Sequence, residues 1–264
     1  MSSESTGKGQ YAAVNGLQLY YEIYGSGFPL VLLHGGGSTI ASNYGRILPE
    51  LAKSNQVIAL ELQAHGHTLD IAREMTFEQD ADDVAALLNL LQIKEANIMG
   101  FSNGGTTAIQ VAIRHPQLVR KLVLASALTR RDGIISGFFE GMQHASIDNM
   151  PQPLKDAYLK ANPSAEGLHA MFLRDSKRMI DFKDIPDELA KKITAPALIM
   201  SGDKDVILVE HSLTLSRLIP NAQLAILPGG HSDYLGEICT TTPNSIIPTL
   251  AAGMINEFLT KNGG

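Results

Sequence analysis

Six short, unbroken apolar runs constrain this chain more than any other feature: Leu30-Val31-Leu32-Leu33, Val57-Ile58-Ala59-Leu60, Ile98-Met99, Leu122-Val123-Leu124, Ala197-Leu198-Ile199-Met200 and Leu224-Ala225-Ile226-Leu227. Each is too short for a buried helix and lacks the alternation of a strand with one wet face. Each therefore reads as a strand covered on both faces, the condition of a parallel sheet. Leu17, Leu19, Tyr21 and Ile23 do alternate with mixed partners, as a strand near the sheet edge does. Helical spacings separate several runs. Phe77, Ala81, Val84, Leu88 and Leu91 recur every three or four residues, with Thr76 and Gln79 placed to form a capping box at the start. A second helix is predicted from just after Ser102, burying Ala108, Val111 and Ala112 and stopping at His115, because Pro116 cannot continue it. Strands alternating with helices indicate βαβ units.

Over residues 130–186 the strand signals lapse and three or four helical pieces are expected, punctuated by Pro151, Pro153, Pro163 and Pro186. Ile134, Ile135, Phe138 and Phe139 fall in the first, and Leu168, Met171 and Phe172 in a later one. The predicted organisation is a core of residues 1–129 and 187–264, with residues 130–186 inserted as a helical lid. A length of 264 residues suits one large core with such an insertion.

Composition narrows the partners. A net charge of −6, with basic residues scattered apart from pairs such as Arg130-Arg131 and Lys191-Lys192, argues against nucleic acid. The single cysteine, Cys239, allows neither an internal disulfide nor a thiolate metal cluster. Residues 1–10 are rich in Ser and Gly without the apolar segment of a secretory signal, and no run reaches the length of a membrane span. A cytoplasmic protein that does not engage membranes is the expectation.

The chemistry concentrates at three predicted strand ends. Ile98-Met99-Gly100-Phe101-Ser102-Asn103-Gly104-Gly105 puts a serine between a strand and a helix, with glycines two residues before and after it. A sharp strand-to-helix turn needs small neighbours, and it exposes the serine at a helix N-terminus where amides can meet developing negative charge. A mere serine N-cap would not require both glycines. His34-Gly35-Gly36-Gly37 follows the strand ending at Leu33, and three glycines there can turn an amide toward Ser102. Gly36 is the first choice and Gly37 the second, to act beside the Asn103 amide. His34 itself reads as a hydrogen-bonded loop anchor.

Eight histidines compete for the role of base. His231, in Pro228-Gly229-Gly230-His231, lies just beyond a late strand and so on the same side as the serine; His65 and His67, also beyond a strand, are its rivals. His115 ends a helix, His144 and His169 fall in the lid, and His211 is expected to be a solvent or groove residue. Gly202-Asp203-Lys204-Asp205 offers two acids. Asp205, deeper in the loop, is preferred for accepting from His231 Nδ1–H, while Asp203 can serve the turn.

These pieces resemble the α/β-hydrolase fold superfamily, in the lid-bearing branch of small esterases, lactonases, cofactor-free perhydrolases and carbon–carbon bond hydrolases. The resemblance runs from about residue 17 to 259. It implies a mostly parallel eight-stranded sheet with helices on both faces, the catalytic order Ser102, Asp205, His231, and Asp205 in the triad position. Where relatives often carry Asp-x-x-Gly-x-Gly-x-Ser, this chain has Glu61-Leu62-Gln63-Ala64-His65-Gly66-His67-Thr68. Asn43 resembles an asparagine that lines the site in some carbon–carbon bond hydrolases; a turn or cap is its bland reading. The Thr- and Pro-rich stretch 237–248 is a candidate rim.

The implied reaction is ester or lactone hydrolysis through an acyl-enzyme, needing no metal or cofactor. His65-Gly66-His67 makes a poor metal pair without a nearby carboxylate. Carbon–carbon bond hydrolysis and perhydrolysis could use the same triad, and a non-catalytic small-molecule receptor is the reading from a different class. A dehalogenase is disfavoured by serine at the elbow and by the absence of tryptophan. Gly37, Asn43, Phe138, Met142, Met171 and Phe172 are the candidate substrate-pocket residues. The lid helices and the edge strand are the candidate surfaces for a homodimer.

Overall fold

The computed structural model describes residues 9–261. Eight strands form one sheet: β1 (Gln10–Val14), β2 (Leu17–Tyr24), β3 (Phe28–Leu33), β4 (Asn55–Glu61), β5 (Ala96–Phe101), β6 (Val119–Ala125), β7 (Ala197–Gly202) and β8 (Ala222–Leu227). Their spatial order is β1-β2-β4-β3-β5-β6-β7-β8. All neighbouring pairs from β4 onward are parallel, and β1 and β2 are antiparallel additions at one edge. The expected eight-stranded, mostly parallel sheet is present. Strand β1 is not among the strands expected from the sequence; it pairs with β2 through the Asn15-Gly16 turn, where both residues have positive φ, as a tight hairpin requires.

The helices are α1 (Ile40–Tyr44), α2 (Leu48–Leu51), α3 (Phe77–Leu90), α4 (Asn103–Arg114), α5 (Phe138–Gln143), α6 (Gln152–Ala161), α7 (Ala165–Ile180), α8 (Asp187–Ala190), α9 (Val209–Leu218) and α10 (Ile247–Thr260). Strand pleating divides the core into two layers. Val31, Leu33, Ile58, Leu60 and Ile98 pack with Ala81, Val84 and Leu88 of α3 and Ala108 and Val111 of α4. Leu30, Leu32, Val57, Ala59 and Met99 face the other way, onto Tyr44, Leu51, Ala252 and Ile255. Adjacent strand residues thus serve opposite layers, which is why the runs carry no polar alternation.

Helix α3 starts where expected, with the Thr76 side chain accepting from the Gln79 amide at 3.0 Å. The box is only half formed, because the Gln79 side chain donates to Asp83 instead. Between β6 and β7 the chain forms α5 to α8, with α5 beginning only at Phe138. Ile134 and Ile135 are therefore not helical: Ile134 bridges to Ile207, and left-handed Gly137 intervenes before α5. Phe138, Phe139 and Met142 pack with Phe77, Met179 and Phe182, while Met171 and Phe172 join Met75, Met150 and Tyr158.

Candidate active site

Strand β3 lies between β4 and β5, so connections leaving its end and that of β5 run to opposite sides and open a crevice at their carboxyl ends. The glycine loop after β3 and Ser102 after β5 both sit there. Ser102 has φ 52° and ψ −118°, a strained left-handed geometry, and its side chain makes no capping bond to α4. Its carbonyl starts the helix by accepting from Thr106, and its amide donates to Ala125. The flanking glycines are required by contact: a Cβ on Gly100 would lie 2.0 Å from the Gly104 carbonyl oxygen, and one on Gly104 would lie 2.1 Å from that of Leu33. The turn is thus pressed directly against the end of β3.

His231 follows β8, and its Nδ1 lies 2.6 Å from Asp205 Oδ1 in the loop after β7. A carboxylate only accepts, so Nδ1 carries a proton, and in the neutral ring the lone pair is on Nε2. The Phe101 ring lies over the imidazole at 4.7 Å. Asp205 also accepts from the Ile207 amide at 3.0 Å and from Ser126 Oγ at 2.5 Å. Burial works to raise its carboxyl, but the His231 and Ser126 hydrogen bonds outweigh this and hold it below the usual carboxylate range. Ser126 spends its proton on Asp205, so the Tyr234 hydroxyl, 2.7 Å away, supplies any proton shared between the two. Ser126 escaped the sequence reading; its position directly after the β6 run was the available signal. Asp203 instead accepts from the Gly229 amide at 2.8 Å.

In the glycine loop, the Gly35 amide donates to Asn43 Oδ1 at 2.9 Å. Asn43 is fully buried in α1, and its Nδ2 has no partner among the described residues. A Cβ on Gly36 would stand 2.6 Å from the Asn103 amide nitrogen Nδ2 and 3.1 Å from Asp175 Oδ2. The Gly37 amide donates to Asp175 Oδ2 at 2.7 Å, and Met150 packs against Gly37. A glutamate joins this loop to the histidine loop: Glu237 accepts from Ser38 Oγ at 2.8 Å and Ser232 Oγ at 2.9 Å. The stretch 237–248 is thus anchored at its start, whereas residues 241–244 are exposed. Phe138, Met142 and Phe172 are half-buried and Met171 buried, each with apolar neighbours.

The other histidines have separate employments. His34 is buried, donating from Nδ1 to its neighbour's carbonyl and accepting from the Leu62 amide. His65 is buried against Asp175, and His67 pairs with Glu61 at 2.9 Å. His115 pairs with Asp82, while His144 and His169 are exposed. His211 departs from expectation: it is buried, with Nε2 accepting from the Thr129 amide at 3.1 Å, because α9 packs that side chain under the chain leaving β6. A cavity of about 550 Å³ between α3 and α7 is walled by Phe77, Arg178 and Phe182, and meets α4 at Thr106, one turn beyond Ser102. Among the described residues, no group of three or more His, Cys, Asp or Glu is placed to hold a metal, and no helix is long and apolar enough to cross a membrane.

Comparison with known proteins agrees with this architecture. The profile of the alpha/beta hydrolase fold family matches residues 29–154. A 2-hydroxymuconate semialdehyde hydrolase of Pseudomonas sp. is 30% identical over 229 residues, covering 76% of this chain and 79% of that one. The human serine hydrolase BPHL is 29% identical over 240 residues, covering 83% and 78% respectively. Among solved structures, a meta-cleavage product hydrolase from Pseudomonas fluorescens superposes with a TM-score of 0.76 at 26% identity, covering 95% of this chain and 98% of its own. The chain belongs to the α/β-hydrolase fold family, in the branch that holds serine hydrolases and meta-cleavage product hydrolases.

Proposed function

We propose that this protein is a serine hydrolase that cleaves a small hydrophobic carboxylic ester or lactone through an acyl-enzyme. The observation that carries this reading is the 2.6 Å contact from His231 Nδ1 to Asp205, which leaves Nε2 as a base on the side of the sheet where strained Ser102 is displayed. His231 takes the Ser102 proton as Oγ attacks the carbonyl, then returns it to the departing alkoxide. Water repeats the sequence in reverse and frees the acid. The amides of Gly36 and Asn103 receive the oxyanion; the occupation of Gly37's amide by Asp175 supports Gly36 as the loop donor. Residues 130–186 form the lid, and Phe138, Met142, Met171 and Phe172 are the apolar side chains it offers to an acyl group. A cytoplasmic setting and a small-molecule substrate complete the reading.

The 30% identical semialdehyde hydrolase, together with buried Asn43, favours carbon–carbon bond hydrolysis as a second reading. Turnover of p-nitrophenyl acetate and butyrate, of lactones and of vinylogous dienoic acids separates the two. The ester reading expects p-nitrophenyl butyrate turnover that falls at least about a hundredfold in Ser102→Ala and His231→Ala. Equal turnover in Ser102→Ala removes the serine mechanism. Turnover confined to dienoic acids replaces the substrate and keeps the residues.

A further inference from the structure

A buried chain of alternating charges runs from the core, through helix α7, to the glycine loop. Asp80 of α3 accepts from Arg178 Nη1 at 2.6 Å, and Arg178 Nη2 donates to Asp175 Oδ1 at 2.5 Å. Asp175 Oδ2 then accepts from His65 Nε2 at 2.9 Å and from the Gly37 amide at 2.7 Å. Asp80, His65 and Arg178 are essentially sealed from solvent. His65 Nδ1 faces the Gln63 carbonyl at 2.8 Å. The Gly37 amide also lies 3.3 Å from Nε2, but the shorter contact of each ring nitrogen is to an acceptor, and Asp175 raises the imidazole against its burial, which favours the imidazolium. Its neighbour His34, 4.7 Å away by centroid, accepts at Nε2 and stays neutral.

One carboxylate is thus held by two cations and spends its remaining capacity on a single backbone amide, that of Gly37. A peptide plane pinned at Gly37 fixes the orientation of the preceding residue. That residue is Gly36, whose α-carbon lies against the side chain of Asn103, the other amide donor. No substrate contact is needed for Asp175 to act.

We propose that Asp175, locked by the His65 imidazolium, is a positioning residue that aims the Gly36 amide at the oxyanion. The charged chain ties the oxyanion loop to α7, so the donor is set only while α7 is seated. The proposal rests on the serine-hydrolase reading and deepens it. It accounts for a buried four-membered charge chain that the triad does not use.

The test compares wild type with Asp175→Asn and His65→Gln, using p-nitrophenyl butyrate and two ketones, one trifluoromethylated so that serine adds to it and one an unactivated methyl ketone. Each variant keeps a polar group of similar size, and circular dichroism with thermal melting establishes that it is folded at the assay temperature. A positioning role lowers kcat by about thirtyfold or more and weakens the trifluoromethyl ketone in parallel, since removing an oxyanion donor outright costs about a hundred- to a thousandfold. KM and methyl-ketone binding stay within about twofold, a split that a merely structural role would not give. Asp175→Glu, which restores the charge, recovers part of kcat. If either folded variant keeps wild-type kcat and trifluoromethyl-ketone affinity while Ser102→Ala is inactive, the proposal is overturned and the serine reading stands. If Ser102→Ala itself retains full turnover, both fall together. Should Asp175→Asn not fold, His65→Gln decides by the same criteria.

Discussion

A carboxylate's second oxygen decides how well it orients a histidine, and at Asp205 both oxygens are committed. Oδ1 holds His231, and Oδ2 is fixed by Ser126. Asp205→Asn presents an amide that cannot accept from Nδ1–H without turning its own NH2 toward the Ser126 side, so the wrong imidazole tautomer is favoured. Ester turnover should fall by about a thousandfold or more, while Asp203→Asn, which touches only the Gly229 turn, should lose less than about fivefold. Equal losses at the two positions would contradict the assignment. The elbow glycines give a separate expectation about stability. Gly104→Ala forces a Cβ into the Leu33 carbonyl, a backbone atom that cannot swing aside, so urea unfolding should show a loss of about 3 kcal/mol or more. Both the strained serine and these glycines were legible in the sequence, because they fall in one five-residue pattern, Gly100-Phe101-Ser102-Asn103-Gly104, although the contact of Gly104 with Leu33 was not. Asp175 and Ser126 were not, since their partners lie 138 and 79 positions away; Ser126 is marked only by following the β6 run, and Asp175 by nothing in its neighbours.

Among the elements, α7 carries the most information that periodicity could not supply. Its apolar face is readable from Leu168, Met171 and Phe172, yet its buried polar face, Asp175 and Arg178, looks in sequence like part of a solvated charge run. The lapse into helices after β6 was legible from proline spacing, whereas the start of α5 was not: Ile134 joins an isolated bridge to Ile207, a contact across more than seventy residues. The β1 strand was missed because Gln10–Val14 is short and becomes a strand only by pairing with β2. The α7 ion chain makes a direct prediction. Burial pushes the Asp80 carboxyl up to about 6 despite Arg178, and one of its oxygens has no partner among the described residues. Arg178→Met would leave Asp80 and Asp175 facing each other without their shared cation, at a cost of about 3–5 kcal/mol in urea unfolding. Adding Asp80→Asn to that variant should recover a substantial part of the loss. A single variant as stable as wild type would show that the chain contributes nothing to holding α7.

Across the whole molecule, acid stability sums groups of opposite sign, and His34 offers a way to isolate one of them. Burial first, and then the adjacent His65 charge, push the His34 imidazole down to about 3, despite the Gly35 carbonyl and Asp175 favouring its charged form. An unfolded histidine titrates near about 6.5. Between those values the unfolded chain binds the proton and the folded chain does not, so stability falls as pH drops through the window. Asp175 and Asp205, both held low in the fold, lose their contribution further down, as pH falls through their folded values. Asp80 acts oppositely: raised to about 6, it binds its proton more readily in the fold and offsets part of the His34 penalty between roughly pH 4 and 6. His65, raised by Asp175 against burial, stays charged in both states at the acid end and drops out. Wild-type acid sensitivity alone therefore cannot reveal His34. His34→Gln keeps an acceptor for the Leu62 amide and removes the titration. It should be less stable than wild type at pH 7, because one glutamine side chain does not reproduce both the Nδ1 bond to the Gly35 carbonyl and the packing of the buried ring. By pH 5 that deficit should have narrowed by roughly 2 kcal/mol, about 1.36 kcal/mol for each pH unit below 6.5. Urea unfolding of both proteins at pH 7, 6 and 5 measures it, and a deficit that does not change with pH would mean that His34 takes up its proton without leaving the fold.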